Sequence, residues 1–422
     1  MLDFCADDHW LATTDAADPL CVLRQQFVFP VAQDGSDVVY FAGHSLGLQP
    51  INAKTYVLEA LDDWARYAVD GHFLGRHPWL PYHELLTGST ARLMGALPSE
   101  VVVMNTLTVN LHLMMTSFYR PTPERFRIVI ESGAFPSDRY AVASQASMHG
   151  FDPALAVVEL TPRPDEPHLR QDDVLRTIER LGDSVAMVVL GNCNYLTGQA
   201  FDMPALTRAG HAKGCIVGFD LAHGAGNLDC QLHDSGADFA VWCNYKYLNA
   251  GPGGLGAVFI HQRHHHSDVP RLAGWWGHTK ASRFDMGPRF ESIVGAEGWQ
   301  LSNPPILQLA ALRAAMEPFD QAGISALRAR GDRLTAYLLW WLNQLPPTRC
   351  RLLTPLDSRE RGSMLTLQVY TGAEQLTESL HRQGITVDLR RPDIVRLTPA
   401  PLYSRFTDVA RVGKALLAEL AN

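Results

Sequence analysis

A lysine flanked by two tyrosines closes a strongly apolar run at 239–248, FAVWCNYKYL, and a glycine-rich turn follows it at 249–254, NAGPGG. Upstream, the run CIVGFD at 215–220 ends in Asp220, and His223 stands just beyond. Burying an ammonium strips its hydration, so Lys246 in such a setting asks for a chemical reason. An amine that condenses with an aldehyde to an imine sheds that cost. A carboxylate that pairs with a pyridinium nitrogen keeps the ring protonated and electron-withdrawing. Both demands belong to pyridoxal phosphate, with Lys246 as the amine and Asp220 as the carboxylate. Each residue alone has an ordinary reading, a surface lysine at a strand end and a capping aspartate. The pair at this spacing, with His223 beside it, favours the cofactor.

The elements that must present this pair can be read from residue 101 onward. Short apolar runs bounded by turns at 101–105, 125–132, 155–161, 185–192, 215–223, 239–248 and 255–261 read as strands. Helical patterns at 106–120, 136–150, 171–182 and 203–214 separate the earlier ones. This alternation predicts an α/β fold, a mostly parallel sheet with crossover helices. In such sheets ligands bind beyond the carboxyl ends of the strands, where Asp220 and Lys246 stand. At 105–110, NTLTVN, the first strand runs into a helix whose free amides suit a phosphate, and Thr106 and Thr108 add hydroxyls. Ordinary capping explains the same residues equally well. Gly251, Gly253 and Gly256 satisfy GxGxxG. That pattern marks a dinucleotide site only where a helix follows, and AVFIH at 257–261 reads as a strand. A dehydrogenase is therefore rejected. The glycines are read as a close backbone approach or a hairpin.

Past residue 305 the pattern changes. Amphipathic helices at 305–323 and 325–345 precede strands at 363–370 and 385–390 and helices at 372–383 and 405–421. The expected division is a large cofactor-binding unit over 51–305 and a smaller α+β unit built from 1–50 and 306–422.

Composition narrows the partners. The chain has 422 residues, 46% hydrophobic and 19% charged, with a net charge of −8. That balance argues against nucleic acid or an anionic membrane as a partner. No apolar run approaches the ~20 residues that span a bilayer. The acidic N-terminal stretch lacks the basic and apolar regions of a signal peptide. The seven cysteines, Cys5, Cys21, Cys193, Cys215, Cys230, Cys243 and Cys350, fit no disulfide framework and no zinc pattern. They read as reduced thiols of a cytoplasmic protein. HHH at 264–266 hints at a metal, but adjacent loop residues do not converge on one ion, and no HExxH occurs. No metal is expected.

The run FDLAHGAGNLDCQLHDSGADFAVWCNYKYLNAGPGG at 219–254 resembles kynureninase, a fold type I pyridoxal-phosphate enzyme of the aspartate aminotransferase superfamily. The resemblance continues in FAGHSLGLQP (41–50), NTLTVNLHLMM (105–115), FPSD (135–138), AGWWGH (273–278), LSNPP (301–305) and VRLTPAPLYSRFTDV (395–409). It spans nearly the whole chain in order. The resemblance implies that Lys246 carries the cofactor and moves protons, and that Asp220, supported by His223, meets the pyridine nitrogen. It implies that Leu107, Thr108 and Tyr245 hold the phosphate. Phe135 would stack on the ring, with Ser137 and Asp138 near it. Trp275 and Asn303 would reach the site from the neighbouring subunit of a homodimer. Arg396 would clamp the substrate α-carboxylate, and Ser45 and His72 would flank the aromatic end. The implied reaction is hydrolysis of L-kynurenine, or 3-hydroxykynurenine, to anthranilate or 3-hydroxyanthranilate and L-alanine. Tyr245 is a further proton donor or acceptor, with a phenol that a cationic cofactor lowers. Most of these residues also have bland roles as core aromatics, turn residues or surface ion pairs. The stretches 73–86 and 278–305 depart most from the pattern and leave the choice between the two substrates open. Two rivals stand: a cysteine desulfurase or selenocysteine lyase, for which Cys350 is the nearest thiol, and an inactive binding homologue, which would have lost Lys246 or Asp220.

Overall fold

The computed structural model describes residues 4–420. Its larger sheet has seven strands: β1 (Val101–Val103), β2 (Arg127–Glu131), β3 (Val157–Leu160), β4 (Val185–Gly191), β5 (Ile216–Asp220), β6 (Phe239–Cys243) and β7 (Gly256–Ile260). They lie in the order β1-β7-β6-β5-β4-β2-β3. Strands β2 to β6 pair in parallel, and β7 runs antiparallel to both β6 and β1. Every residue of β6 and β7 is buried. Both faces of the sheet are covered, which is why these strands read as unbroken apolar runs. Alternate residues serve opposite faces: Phe239 and Val241 join one core with Leu111, Met114 and Phe118, while Ala240 and Trp242 join the other with Phe219 and Leu221.

Two of the expected strands end early. Strand β5 stops at Asp220 and β6 at Cys243, short of the predicted 223 and 248. Asp220 causes the first stop: its Oδ1 accepts the Ala222 amide at 2.6 Å and begins a turn. Asn244 causes the second. It bridges the Trp242 indole N–H at 3.0 Å and the Leu255 carbonyl at 2.8 Å, closing the loop that carries Lys246. Asp220 is therefore the last residue of its strand and Lys246 lies in the loop beyond β6, both at the carboxyl ends of interior strands.

The smaller sheet has strands β8 (Cys350–Leu352), β9 (Leu365–Val369), β10 (Asp388–Arg390) and β11 (Ile394–Leu397) in the antiparallel order β8-β9-β11-β10. The predicted strand at 385–390 is in fact two. Ile385–Thr386 pairs in parallel with Val39–Tyr40, and only Asp388–Arg390 joins the sheet. Strands β8 and β11 carried no sequence signal, because three or four residues are too few to show alternation.

The N-terminal fifty residues touch both cores. Leu11, Val39 and Phe41 pack in the core of the smaller sheet with Phe406, Val409 and Leu416. Leu23, Phe27 and Leu48 pack in the core of the larger one. The helix Ile306–Ala322 likewise buries Leu309, Leu312, Met316 and Phe319 in the larger core.

Gly218 lies opposite Phe239 in the β5–β6 register, and a Cβ there would fall 2.1 Å from the Phe239 ring. The two strands that lead to Asp220 and Lys246 are held at their spacing by this absent side chain. Gly218→Ala is expected to lower stability by about 1–3 kcal/mol, as overpacking does. Urea unfolding reads this directly, and an unchanged midpoint would mean that β6 moves aside freely.

Candidate active site

A cavity of about 210 Å³ opens beyond the carboxyl ends of β2, β4 and β5. Its wall gathers residues from distant segments. Leu107 and Thr108 come from the start of the helix Leu107–Phe118, and Phe135, Ser137 and Asp138 from the start of the helix Pro136–Met148. Asp220 and His223 follow at the end of β5, and Tyr245 and Lys246 just past β6.

One end suits an anion. Asn105 takes a positive φ of 51°, a conformation asparagine tolerates, and donates through Nδ2 to Asn110 Oδ1 at 3.0 Å. Asn110 in turn donates to the Met104 carbonyl at 2.9 Å. These bonds turn the chain sharply into the helix. Thr106 makes no side-chain cap, so capping does not account for the NTLTVN motif. The amides of the first turn remain for a ligand. Thr108 Oγ1 and Ser137 Oγ lie 3.0 Å apart on the same wall. A Cβ on Gly256 would sit 3.0 Å from the Leu107 amide nitrogen. Gly256 is thus the close approach in the glycine run, while Gly251 and Gly253, at φ of 90° and 67°, form the turn.

The other end holds two buried carboxylates side by side. Burial, with Asp220 adjacent, raises the Asp138 carboxyl well above its ordinary range. Burial raises Asp220 too, opposed by a hydrogen bond from Asp138, by Lys246 and by the Ala222 amide. Asp138 Oδ1 and His223 Nδ1 have no hydrogen-bond partner among the described residues. Burial, then Lys246 and Arg396, push His223 well below its ordinary value and keep it neutral. Lys246 is half-buried rather than sealed in, with Nζ 5.8 Å from the centre of the Phe135 ring. Burial, together with Cys243 and Asp220, pushes the Tyr245 phenol up.

Other predicted residues lie off this wall. Arg396 is 1% exposed in β11 and donates through Nη1 to the carbonyl of Tyr195, itself a wall residue, at 2.7 Å. Ser45 belongs to a segment that touches the lysine loop, since the Gly47 amide donates to the Tyr245 carbonyl at 2.9 Å. His72 bonds through Nδ1 to the Val69 carbonyl at 2.9 Å and packs on Trp79. Trp275 is 39% exposed and bonds the Arg283 carbonyl, and Asn303 is exposed. Within one chain His72, Trp275 and Asn303 do not reach the cavity. In the histidine triplet, His264 bonds Asp238 at 2.8 Å and His265 the Ile260 carbonyl at 3.2 Å, so these rings serve different acceptors.

Among the wall residues that sequence reasoning missed are Glu131, Cys193, Asn194 and Tyr195. Glu131 ends β2, as Asp220 ends β5, and a carboxylate closing an apolar run was the available signal. It accepts the Gly191 amide at 3.2 Å and Asn194 Nδ2 at 2.8 Å. Asp388, the partner of Arg396, was also missed, because only the β10–β11 register brings them together.

Pyridoxal phosphate fits these residues. The free helix amides and the paired hydroxyls of Thr108 and Ser137 would hold its phosphate, Phe135 would pack on its ring, and the acidic pair with its orphaned oxygen would take its ring nitrogen.

The chain resembles known proteins over nearly its whole length. Residues 327–416 match the family model described as the kynureninase C-terminal domain. The chain is 62% identical over 403 residues to a kynureninase of Myxococcus xanthus, covering 95% of each. It is 52% identical over 418 residues to a kynureninase of Koribacter versatilis, covering 99% of each. Solved structures share the fold at lower identity. The cysteine desulfurase CsdA of Escherichia coli superposes with a TM-score of 0.75 at 20% identity, covering 95% of this chain and 98% of that one. The cystine C–S lyase C-DES, complexed with cysteine persulfide, gives 0.76 at 16%, covering 90% and 97%. The fold is therefore that of the fold type I pyridoxal-phosphate enzymes, a large mostly parallel sheet with a smaller α+β unit.

Burial lifts the Glu131 carboxyl to about 7. Between its unfolded value near 4.5 and about 7 the folded state holds the extra proton, so this group's stabilisation is full at low pH and is lost as pH rises through 7. In the cofactor-free protein, Glu131→Gln is expected to gain stability relative to wild type on going from pH 5 to pH 8, by at most about 3 kcal/mol. Parallel denaturation curves at both pH values would remove this account of Glu131.

Proposed function

The chain belongs to the kynureninase family, and we propose that its cavity is where L-kynurenine is hydrolysed at the Cβ–Cγ bond to anthranilate and L-alanine, with 3-hydroxykynurenine as a second substrate. It is a pyridoxal-phosphate-dependent hydrolase of a small amino acid. The observation that carries the site assignment is the convergence of Lys246, Asp220, Asp138, His223, Thr108, Ser137, Phe135 and Tyr245 on one cavity from four separate strand and helix ends.

When bound, pyridoxal phosphate supplies an aldehyde for amines and a ring that stabilises negative charge on the substrate carbons. Leu107, Thr108, Ser137 and Tyr245 hold its phosphate. Phe135 covers the ring. Asp220 takes the ring nitrogen, and Asp138 shares the load of a second carboxylate beside it. His223, neutral and packed, keeps the acidic end dry. Lys246 takes the α-proton through Nζ and returns it at a neighbouring carbon. Arg396 holds the α-carboxylate. Tyr245 stays a protonated phenol in this site, which suits it to donating a proton as the carbonyl is hydrated. Ser45 meets the aromatic end; His72, off the wall of a single chain, is assigned there by the family resemblance alone.

The desulfurase reading lacks a nucleophile. Cys350 is fixed in β8 and buried. Cys193 lines the cavity, but burial pushes its thiol to about 12, so it stays protonated. An inactive homologue is disfavoured by the presence of both Lys246 and Asp220.

The protein acts as a homodimer in which Trp275 and Asn303 complete the partner's site. Exposed apolar rings support this: Phe284 packs between Phe73 at 6.4 Å and Trp275 at 5.5 Å, and all three face outward. The small unit, 1–50 with 306–422, presents Arg396 to the large unit, 51–305. Free cysteines fit a cytoplasmic setting, and among the described residues no helix is long and apolar enough to cross a membrane.

Fluorescence detection of anthranilate from L-kynurenine tests the reaction. Wild type with pyridoxal phosphate is expected to produce it and Lys246→Ala to produce none; a silent wild type would overturn the reading. Subunit sharing is tested by mixing inactive Lys246→Ala with inactive Asn303→Ala protein. Heterodimers should restore about a quarter of wild-type activity, whereas no recovery after subunit exchange would place Asn303 in its own subunit's site or outside any.

A further inference from the structure

We infer that Asp388 is a positioning residue for substrate binding, holding Arg396 in the orientation that presents its fork to the α-carboxylate. The inference rests on the reading of Arg396 as the carboxylate clamp and adds what fixes it there.

Strands β10 and β11 pair so that Asp388 stands directly opposite Arg396. Cross-strand neighbours of this kind are close enough to interact strongly. Asp388 Oδ1 accepts from Arg396 Nε at 2.8 Å and lies 2.7 Å from Nη2. From the other side, Nη1 donates to the Tyr195 carbonyl at 2.7 Å. Asp388 therefore takes one edge of the guanidinium, and Tyr195 takes one hydrogen of the far nitrogen. Nη2 completes no hydrogen bond among the described residues, although it is buried. Of the five donors on an arginine, the Nε–H and one Nη1 hydrogen are used, so both terminal nitrogens keep hydrogens for a carboxylate that accepts in two parallel bonds.

Each brace is itself anchored. Tyr195 sits in a turn held by Asn194 Oδ1, which accepts the Leu196 and Thr197 amides at 2.9 Å each. Thr366 of β9 donates to the Leu196 carbonyl at 2.7 Å, and Thr354 to the Thr197 carbonyl at 2.6 Å. Arg396 is thus gripped by one group from each sheet. Without Asp388 the long side chain would regain rotamers that substrate must then freeze out, and a buried guanidinium would lose its counter-charge.

The test is a double-mutant cycle on holoenzyme, with L-alanine, the product that keeps the α-carboxylate, as competitive inhibitor. Asp388→Asn is expected to weaken alanine inhibition and raise KM for kynurenine on the order of tenfold. The kcat and the cofactor absorption band should change little, while the melting temperature falls because the buried guanidinium loses its counter-charge. In an Arg396→Gln background the same substitution should add nothing, because its effect passes through the arginine. Asp388→Glu keeps the charge but moves the carboxylate by one methylene, and it should also weaken alanine; this variant decides the matter if Asp388→Asn does not fold. Full alanine affinity in both Asp388 variants, with loss in Arg396→Gln, would sink the positioning role and leave the clamp intact. Equal losses from Asp388→Asn in both backgrounds would make Asp388 an independent contributor and overturn the inference. Unchanged affinity in Arg396→Gln would remove the clamp itself.

Discussion

Two carboxylates, Asp138 and Asp220, are buried against each other beside a single amine, and the rest of the cavity answers that arrangement. Neither acid is at ease: burial lifts both, and only Lys246, the Ala222 amide and their mutual hydrogen bond pull Asp220 back. A buried acidic pair that shares a proton and keeps an orphaned oxygen is suited to a cationic N–H group. The neutral His223 and the protonated Tyr245 follow from the same dryness. Groups without a charged partner adopt their neutral forms.

The second constraint is mechanical. The anion end is built where β1 gives way to a helix, the acidic end where β5 stops, and the amine where β6 stops. All lie on the larger sheet. The arginine assigned to the substrate comes from the smaller one. Its guanidinium crosses the gap between the sheets and is tied to both, through Asp388 on one side and the Tyr195 carbonyl on the other. The turn at 194–199 is therefore a joint as well as a wall, and Glu131 secures its base through Asn194.

The shared fold does not by itself choose the chemistry. The desulfurase and lyase structures superpose over nearly the whole chain at 20% and 16% identity, respectively. What separates this chain from them is its 62% and 52% identity to kynureninases. The one cysteine on the cavity wall is buried and holds its proton, and Cys350 is locked in a strand.

The sequence by itself determined the alternation of strands and helices, the parallel sheet and the identity of the Asp220–Lys246 pair. These are local properties: apolar runs of fixed period, and functional residues placed where the runs end. It also determined the family, because the motifs recur in order along the chain. The tertiary structure alone decided where β5 and β6 stop, since those stops depend on side chains closing turns with distant carbonyls. It alone joined Asp388 to Arg396, because a cross-strand pair exists only once a register is set. It alone decided how deeply the Tyr245 phenol is buried, since burial is a sum over neighbours that no local window contains. It also left His72, Trp275 and Asn303 off the wall of a single chain, because their distance from the cavity follows from how the whole chain packs.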